Sequence, residues 1–397
     1  TSGETMHKDA VQTTLKVGYP APLLRHVKTL RYDGGSANLL ADVEKGGISM
    51  TDDRAFRLGQ NVAASPGKVV YQTDLMQLLQ FSPTTAEAYR TPLVIIPPWI
   101  NKYYILDLQP RNSFIKWAVD QGLTVFVISW VNPDEPLSKL TFEDYMKEGP
   151  LAALDAIEQA TGARKVSAIG YCIGGTLMAT TLAYMAARGD DRIVACTFFT
   201  AQVDFSEPGE LGVFIDEDQL ASVEELMGKK GYLEGSEMAT TFNMLRANDL
   251  IWSFVVNNYL LGNDPFPFDL LYWNADSTRM PAVMHSFYLR RMYQENLLCR
   301  PNGITLAGVP IDLGKIGIPT YFLSTREDHI APARAVFRGA QFFGGPMRYV
   351  LAGSGHIAGV INPPAKNKRS HWLREDGQFP EAFNDWLAEA TEYPGSW

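Results

Sequence analysis

The chain has 397 residues, a formal net charge of -9 and three cysteines. Its length exceeds the roughly 250–300 residues at which one hydrophobic core usually stops growing, so one large core with a substantial insertion, or two domains, is expected. The negative charge argues against a nucleic-acid partner, because phosphate backbones are bound by clustered lysine and arginine. The few cysteines favour a reducing cytoplasm over a disulfide framework, and no apolar stretch reaches the roughly 20 residues that a membrane span requires.

Short apolar runs alternate with longer amphipathic runs from position 68 onward, after a weakly periodic N-terminal extension at 1–67 that is expected to be partly irregular. This alternation is typical of βαβ units and a mostly parallel, doubly wound sheet. The predicted strands are Val69–Gln72, Leu93–Ile96, Thr124–Trp130, Val166–Ile169, Ile193–Phe199, Thr320–Ser324 and Met347–Leu351. The predicted helices are Asn112–Gln121, Thr141–Ala160, Gly174–Ala187, Ala331–Phe343 and Pro380–Ala390, and three of them are followed by the C-terminal glycines Gly122, Gly162 and Gly189.

An aromatic-rich segment at 205–315 interrupts the alternation. It falls between the strands predicted to end at Phe199 and to begin at Thr320, and an insertion there would cover the carboxyl edge of the sheet, where open α/β folds bind their ligands. We therefore predict a cap or lid at 205–315 between two parts of the core, at 68–204 and 316–397. For any one of its aromatic residues, Tyr288 and Tyr293 included, packing in the cap's own core is the favoured interpretation.

The segment Gly170–Gly174 has the pattern glycine, any residue, nucleophile, any residue, glycine, with Cys172 as the nucleophile. It lies between a predicted strand and a predicted helix, which is typical of the nucleophile elbow of the α/β-hydrolase fold. The helix N-terminus favours a thiolate, and the backbone N–H of Ile173 would face a developing oxyanion. A buried structural cysteine at a tight turn is the alternative for Cys172. A structural role is the favoured interpretation for Cys196, inside the predicted strand Ile193–Phe199, and Cys299 is expected to be structural or merely exposed.

The same fold predicts an acid after the next-to-last strand and a base after the last one. Asp328 and His356 occupy these two places, so the predicted triad consists of the nucleophile, His356 and Asp328. His329 competes for the role of base, but a histidine adjacent to the acid cannot easily bond it and also reach a third group. Glu327 and Asp204 are the rival acids, and Asp204 has the better case because it also follows a predicted strand.

The strand Leu93–Ile96 ends in a loop that begins with two prolines. In this fold the loop supplies a second oxyanion N–H, and since proline has none, the candidates are Trp99–Asn101, with Ile100 as the chosen one. A rigid structural loop is the alternative. A thiolate is suited to attack on a thioester and formation of an acyl-enzyme, but the triad alone leaves open whether the acyl group then passes to water or to another acceptor.

Four motifs resemble those of polyhydroxyalkanoate synthases, most of all class I, and the similarity runs from about residue 68 to residue 397. The motifs are 97–104, 170–176, 326–329 and 354–364, and two further segments in the predicted cap, 248–252 and 257–259, share the likeness. The resemblance implies an acyltransferase that polymerises (R)-3-hydroxyacyl-CoA, expected to be 3-hydroxybutyryl-CoA, into a polyester with release of CoA. Cys172 would carry the acyl chain as a thioester, His356 would be the base and Asp328 its partner, and no metal or other cofactor would be needed.

The resemblance also implies a homodimer at the surface of cytoplasmic polyester granules. The family's members carry an N-terminal domain that this chain is expected to lack. Two other functions stay open at this point. One is a cysteine-triad hydrolase of esters or lactones with the same fold, and the other is a non-catalytic granule-coat protein that retains the fold.

Overall fold

The structure is a computed structural model that describes residues 32–397. Its α-helices are α1 (Tyr32–Lys45), α2 (Phe114–Asp120), α3 (Phe142–Met146), α4 (Ala152–Thr161), α5 (Ile173–Ala187), α6 (Glu217–Lys230), α7 (Gly235–Leu245), α8 (Asp269–Ala275), α9 (Ala282–Phe287), α10 (Ala333–Ala340) and α11 (Phe383–Glu389). Its strands are β1 (Gly67–Gln72), β2 (Met76–Phe81), β3 (Leu93–Ile96), β4 (Val125–Trp130), β5 (Val166–Tyr171), β6 (Ile193–Phe199), β7 (Tyr232–Leu233), β8 (Met280–Pro281), β9 (Ile304–Leu306), β10 (Val309–Ile311), β11 (Thr320–Thr325), β12 (Met347–Ala352), β13 (Ser370–Leu373) and β14 (Thr391–Pro394). None of the helices in this part of the chain is both long and apolar enough to cross a membrane.

One large sheet organises most of the described residues. Its strand order is β1-β2-β4-β3-β5-β6-β11-β12-β13-β14. The neighbours from β4 to β12 pair in parallel, and antiparallel strands complete both edges. The predicted mostly parallel sheet is therefore confirmed. The aromatic-rich segment is inserted between β6 and β11, which are adjacent in this sheet.

The sequence located the central strands better than the edges. The bounds predicted for β3 and β6 agree with the structure, and the other five predicted strands differ from it by one or two residues at an end. In the large sheet the prediction missed β2, β13 and β14, which are antiparallel strands at or near the edges, and it also missed the two small pairs β7/β8 and β9/β10. Edge strands are only partly buried and show a weaker apolar run, so composition alone does not separate them from loops.

The helix predicted over Thr141–Ala160 is interrupted in the structure. A capping box between Thr141 and Asp144 starts α3, but the chain passes through a wider π turn at Lys147–Leu151 before α4 begins. Pro150 has no N–H to donate in this turn, and Gly149 adopts a non-helical conformation. The helix predicted at 331–343 is also shorter, because α10 begins only after Pro332.

The core of the sheet lies against α5, whose residues are buried on nearly every side. The strand β3 is buried along its whole length, as expected for a strand covered on both faces. Each of Gly122, Gly162 and Gly189 has a positive φ, as the prediction of C-terminal glycines requires.

Contacts divide the described residues into two compact units. The smaller unit combines 32–55 with 242–268, and the larger one combines 56–241 with 269–397. In the smaller unit, the hydroxyl of Tyr259 donates to Asp42 at 2.6 Å, and the buried amide of Asn258 donates to the Ser49 carbonyl at 2.7 Å. These bonds join segments of the smaller unit that lie far apart in sequence. The predicted division of the chain into an extension, a core in two parts and a cap remains a prediction.

Candidate active site

Cys172 lies at the turn between β5 and α5, where its backbone adopts φ 52° and ψ -127°. A positive φ is costly for a residue with a side chain and persists only where the surroundings impose it. The N–H of Cys172 donates to the carbonyl of Phe199 at 2.9 Å, and its carbonyl accepts from Gly175 at 2.9 Å. The side chain is partly exposed, so this turn has the geometry and the access that a nucleophile elbow requires.

Close backbone approaches explain the glycines of this turn. A Cβ at Gly170 would lie 2.5 Å from the Cα of Gly175, and a Cβ at Gly174 would lie 2.3 Å from the carbonyl oxygen of Ile96. The start of α5 therefore packs directly against the end of β3. Ile173 is the first residue of α5, where backbone N–H groups have no acceptor within the helix. This position suits the predicted oxyanion role of Ile173, which remains a prediction.

Asp328 is buried, and its two carboxylate oxygens have different partners. Oδ1 accepts from the backbone N–H groups of Ile330 and Ala331 at 2.9 and 2.8 Å. Oδ2 accepts from the hydroxyl of Thr325 at 3.2 Å and lies 2.7 Å from Nδ1 of His356. The first oxygen thus anchors the carboxylate while the second orients the imidazole, which is what a triad acid must do.

Backbone hydrogen bonds join the two loops that carry the acid and the base. The N–H of Arg326 donates to Ala352 at 2.8 Å, and the N–H of Glu327 donates to Ser354 at 3.0 Å. The loops follow β11 and β12, which are parallel neighbours in register up to their last residues. The two strands therefore bring the acid and the base to the same edge of the sheet.

His356 is buried between the acid and the thiol. Burial lowers its pKa, but the carboxylate of Asp328, the charge on Cys172 and hydrogen bonds to both raise it, and the net pKa is well above its ordinary value. Because Nδ1 is bound to Asp328, Nε2 is the nitrogen left to bond Cys172. The ring of Tyr171 stacks on the imidazole at a centroid distance of 6.0 Å, and its hydroxyl donates to the His356 carbonyl at 3.3 Å.

The rival residues have other surroundings. Asp204 is buried, accepts from the amide of Asn296 at 2.8 Å and forms an ion pair with Arg338, so its carboxylate serves a separate network. Glu327 is exposed. The backbone carbonyl of His329 accepts a hydrogen bond from another backbone N–H group. The histidine whose side chain binds the predicted acid Asp328 is His356. The structure thus pairs the acid and the base that the sequence predicted, while their catalytic use remains a prediction.

The other two cysteines do not lie at the elbow between β5 and α5. Cys196 lies inside β6, and burial raises the pKa of its thiol. Cys299 is partly exposed, and burial is also the largest cause of its raised pKa. Among residues 32 to 397, no three histidine, cysteine, aspartate or glutamate side chains are grouped so as to hold a metal ion.

The loop after β3 is fixed through its carbonyl groups. The indole N–H of Trp130 donates to Pro97 at 2.9 Å, and the backbone N–H of Thr278 donates to Ile100 at 2.9 Å. The hydroxyl of Thr278 also donates to the carbonyl of Trp99. These bonds rigidify the loop beside the start of α5, which suits a preorganised oxyanion site. The choice of Ile100 as the second donor remains a prediction.

Two tyrosines of the aromatic segment belong to the surroundings of the site. Burial raises the pKa of both Tyr288 and Tyr293, and the charge on Cys172 raises it further. The sequence identified them only as members of an aromatic segment. Nothing in residue type or spacing separates them from the aromatic residues that pack elsewhere, because the selection depends on the tertiary fold.

Comparisons with known proteins agree with the described fold. A family model described as the alpha/beta hydrolase fold matches residues 91–363, and a model described as the N-terminus of poly-beta-hydroxybutyrate polymerase (PhaC) matches residues 29–118. The first match confirms the predicted fold. The second shows that residues 29–118 are similar to part of the family's N-terminal region, and the expected absence of the N-terminal domain stays a prediction.

Three curated relatives are similar over most of the chain. The poly(3-hydroxyalkanoate) polymerase subunit PhaC of Rhizobium meliloti (strain 1021) is 56% identical over 351 residues, which cover 88% of this chain and 57% of the relative. The poly(3-hydroxyalkanoate) polymerase of Methylorubrum extorquens is 55% identical over 374 residues, which cover 91% and 62%. Poly(3-hydroxyalkanoate) polymerase 1 of Ectopseudomonas oleovorans is 36% identical over 396 residues, which cover 98% and 70%.

The chain therefore spans less than two thirds of the length of the first two relatives. The similarity nevertheless extends over nearly all of this chain and over more than two thirds of the third relative. The resemblance to polyhydroxyalkanoate synthases is thus confirmed, whereas the assignment to class I stays a prediction. The chain belongs to the poly(3-hydroxyalkanoate) polymerase family and has its α/β-hydrolase fold.

Proposed function

We propose that this chain is an acyltransferase that polymerises (R)-3-hydroxyacyl-CoA into a polyester and releases CoA, with 3-hydroxybutyryl-CoA as the expected monomer. The observation that carries the proposal is the arrangement of three side chains. Cys172 sits at a strained elbow, Nδ1 of His356 lies 2.7 Å from Asp328, and the charge on Cys172 contributes to the raised pKa of His356. Membership of the polymerase family supports an acyl-CoA donor and a polyester product.

In the first proposed step the thiol proton of Cys172 passes to Nε2 of His356, and the sulfur attacks the thioester carbonyl. A bond forms between that sulfur and the acyl carbon, the bond to the CoA sulfur breaks, and the imidazolium returns the proton to the departing CoA thiolate. Asp328 keeps the proton on Nδ1 and stabilises the imidazolium. The backbone N–H groups of Ile173 and Ile100 donate to the transient oxyanion.

In the second proposed step the 3-hydroxyl of a hydroxyacyl unit attacks the acyl-enzyme. Its proton passes to His356, an ester bond forms, the bond to the sulfur of Cys172 breaks, and the proton returns to that sulfur. Water in place of the hydroxyl would instead release a free acid. The aromatic rings near the site support transfer over hydrolysis, because they limit the access of water. Tyr288 lies 6.5 Å from Trp99 and 6.0 Å from Phe205, measured between ring centroids.

The proposal extends to a homodimer that works at the surface of cytoplasmic polyester granules. The support is the family resemblance alone. Analytical ultracentrifugation measures the dimer directly, and sedimentation of the chain with purified polyester granules measures the association. A monomer at all concentrations tested would contradict the dimer, and a chain that stays in the supernatant would contradict the granule association. Neither result would bear on the proposed chemistry.

The experiment that tests the chemistry is incubation with (R)-3-hydroxybutyryl-CoA, followed simultaneously by thiol release and by insoluble polymer. The test variant is Cys172→Ala, and the matched control is Cys299→Ala, which removes another partly exposed thiol outside the elbow. We expect thiol release and polymer from the unmodified chain and from the control, and loss of both in Cys172→Ala.

Other outcomes assign other functions. Thiol release with free 3-hydroxybutyrate as the only product would make the chain a cysteine-triad hydrolase. Equal rates in the unmodified chain and Cys172→Ala would reject the nucleophile. Binding to polyester without any thiol release in the unmodified chain would fit a granule-coat protein and reject the proposal.

A further inference from the structure

The proposed base His356 lies in a tight turn whose backbone hydrogen bonds begin on both sides of it. The N–H of Gly359 donates to the carbonyl of Gly355 at 2.8 Å, and the N–H of Ile361 donates to the carbonyl of Ile357 at 2.8 Å. Gly355 and Ile357 are the direct neighbours of His356 in the chain. The backbone position of His356 therefore depends on where the far side of this turn is held.

Trp397, which follows β14, holds the far side of the turn. Its indole N–H donates to the carbonyl of Val360 at 3.2 Å, and that carbonyl also accepts from the backbone N–H of Asn362 at 3.0 Å. The hydroxyl of the adjacent Ser396 donates to the carbonyl of Asn362. The antiparallel pairing of β13 with β14 brings both residues back to the turn. The end of the turn is thus bound by two neighbouring side chains from a distant segment.

The ring of Trp397 also contacts the residues that support the nucleophile. Its centroid lies 5.0 Å from that of Phe199, the last residue of β6. The carbonyl of Phe199 accepts the backbone N–H of Cys172 at 2.9 Å. The ring of Phe199 lies 6.1 Å from that of Tyr171, which stacks on the imidazole of His356. Trp397 therefore joins the strand end that holds Cys172 to the turn that carries His356.

Proton transfer from a thiol requires the accepting nitrogen within hydrogen-bond reach of the sulfur. Cys172 is fixed between β5 and α5, whereas the described chain has no helix or strand from 353 to 363, where His356 lies. Such a segment keeps its place only through contacts with its neighbours. We propose that Trp397 is a positioning residue, which holds the turn of His356 at the distance from Cys172 that proton transfer requires. The inference rests on the proposed function and adds to it a residue that acts through His356.

The test variant is Trp397→Phe, which keeps an aromatic ring near Phe199 and removes the indole N–H. The matched control is Trp117→Phe in α2, because Trp117 and Trp397 both contact the ring of Phe114, at 5.6 and 6.5 Å, and Trp117 is 42% exposed. The readouts are kcat and KM for CoA release from (R)-3-hydroxybutyryl-CoA. In Trp397→Phe we expect kcat to fall by about ten- to a hundredfold and KM to stay within about twofold, because a displaced base slows the reaction without removing contacts to the substrate. The control should stay within about twofold in both constants.

A second measurement needs no substrate. Iodoacetamide alkylates the thiolate form of a cysteine, so the rate at which Cys172 gains the label reports how well the imidazole takes its proton. The variant His356→Gln gives the rate of a thiol that has lost its base. The rate in Trp397→Phe should fall by about threefold or more and lie between those of the unmodified chain and His356→Gln. Ser396→Ala loses only the hydroxyl bound to Asn362, and it should lower kcat and the labelling rate by smaller factors.

Thermal melts show which variants keep the fold. A lower melting temperature of Trp397→Phe with unchanged kcat and labelling rate would overturn the inference, because the side chain would then be only structural. An equal loss of activity in Trp117→Phe would overturn it as well. If Trp397→Phe does not fold, Ser396→Ala decides by the same two readouts. If the unmodified chain releases no CoA, the proposed function is refuted, whereas the labelling rates still decide whether Trp397 positions the base, so the two failures are distinguishable.

Discussion

Replacement of Asp328 by asparagine tests the proposed triad through the position of one proton. In the structure Oδ1 of Asp328 accepts from the backbone N–H groups of Ile330 and Ala331. Those donors will hold the amide oxygen of an asparagine in the same place, because an NH₂ group there would face two N–H groups. The asparagine NH₂ must then point at Nδ1 of His356, where Oδ2 of the carboxylate lies at 2.7 Å. An NH₂ group donates, so the imidazole becomes the tautomer with its hydrogen on Nε2.

That tautomer has no lone pair on the nitrogen that bonds Cys172, so it cannot accept the thiol proton. The same substitution removes the carboxylate that raises the pKa of His356. In a serine triad the corresponding change lowers kcat by about 10⁴-fold, and each tenfold loss corresponds to about 1.4 kcal/mol of activation free energy. A thiol is easier to ionise than a hydroxyl, so we expect a loss of about 10³- to 10⁴-fold here.

The assay is the initial rate of CoA release from (R)-3-hydroxybutyryl-CoA. Glu327→Gln is the matched control, because it removes the charge of the neighbouring exposed carboxylate and should stay within about threefold of the unmodified chain. The reasoning would be refuted if Asp328→Asn kept more than about a tenth of the rate, or if Glu327→Gln lost as much as Asp328→Asn.

Three further predictions concern stability, measured as the free energy of unfolding in denaturant. Gly174→Ala should destabilise the protein by about 1–3 kcal/mol, because the added Cβ would lie 2.3 Å from a backbone oxygen. The control is Gly228→Ala in α6, whose added Cβ meets nothing within 4 Å, so this variant should be neutral or stabilising. Equal effects of the two substitutions would contradict this account. The pKa of His356 is raised on folding, so its contribution to stability is complete below about pH 6.5 and is lost as pH rises through the folded pKa. The stability of the unmodified chain should therefore fall with rising pH more steeply than that of His356→Gln. Parallel pH profiles of the two proteins would reject the raised pKa. Arg338→Met should lower the free energy of unfolding by about 1–3 kcal/mol, because it leaves the buried carboxylate of Asp204 without its cation. The check is the double variant with Asp204→Asn, in which we expect that stability to be recovered.

Local chemistry in the sequence was sufficient to predict the elbow that carries the proposed nucleophile. The spacing of Gly170, Cys172 and Gly174 between a strand and a helix predicts the elbow, because only a sharp turn needs glycine on both sides of a reactive residue. The structure gives the physical reason, since a Cβ at Gly174 would collide with the end of β3. The acid and the base were likewise predictable, because the order of strands in this fold determines which loops face the elbow.

Other features depended on contacts between distant segments. The sequence offers Asp204 as a rival to the predicted acid Asp328, and only the fold shows that Asp204 pairs with Arg338 and Asp328 with His356. The edge strands were missed because their pairing is set by neighbours far along the chain. The break at Pro150, in contrast, has a local cause in Gly149 and Pro150 that the helix prediction overlooked.

The same limit applies to the aromatic segment at 205–315. Its composition indicates burial, but it does not tell which rings pack together. In the structure Tyr288 and Tyr293 pack against each other and against Phe205, which follows β6. The sequence by itself was sufficient to predict an elbow at Cys172, because the spacing of its glycines is a local signal. The surroundings of that elbow were decided only by the tertiary structure, since side-chain contacts between distant segments carry no local signal.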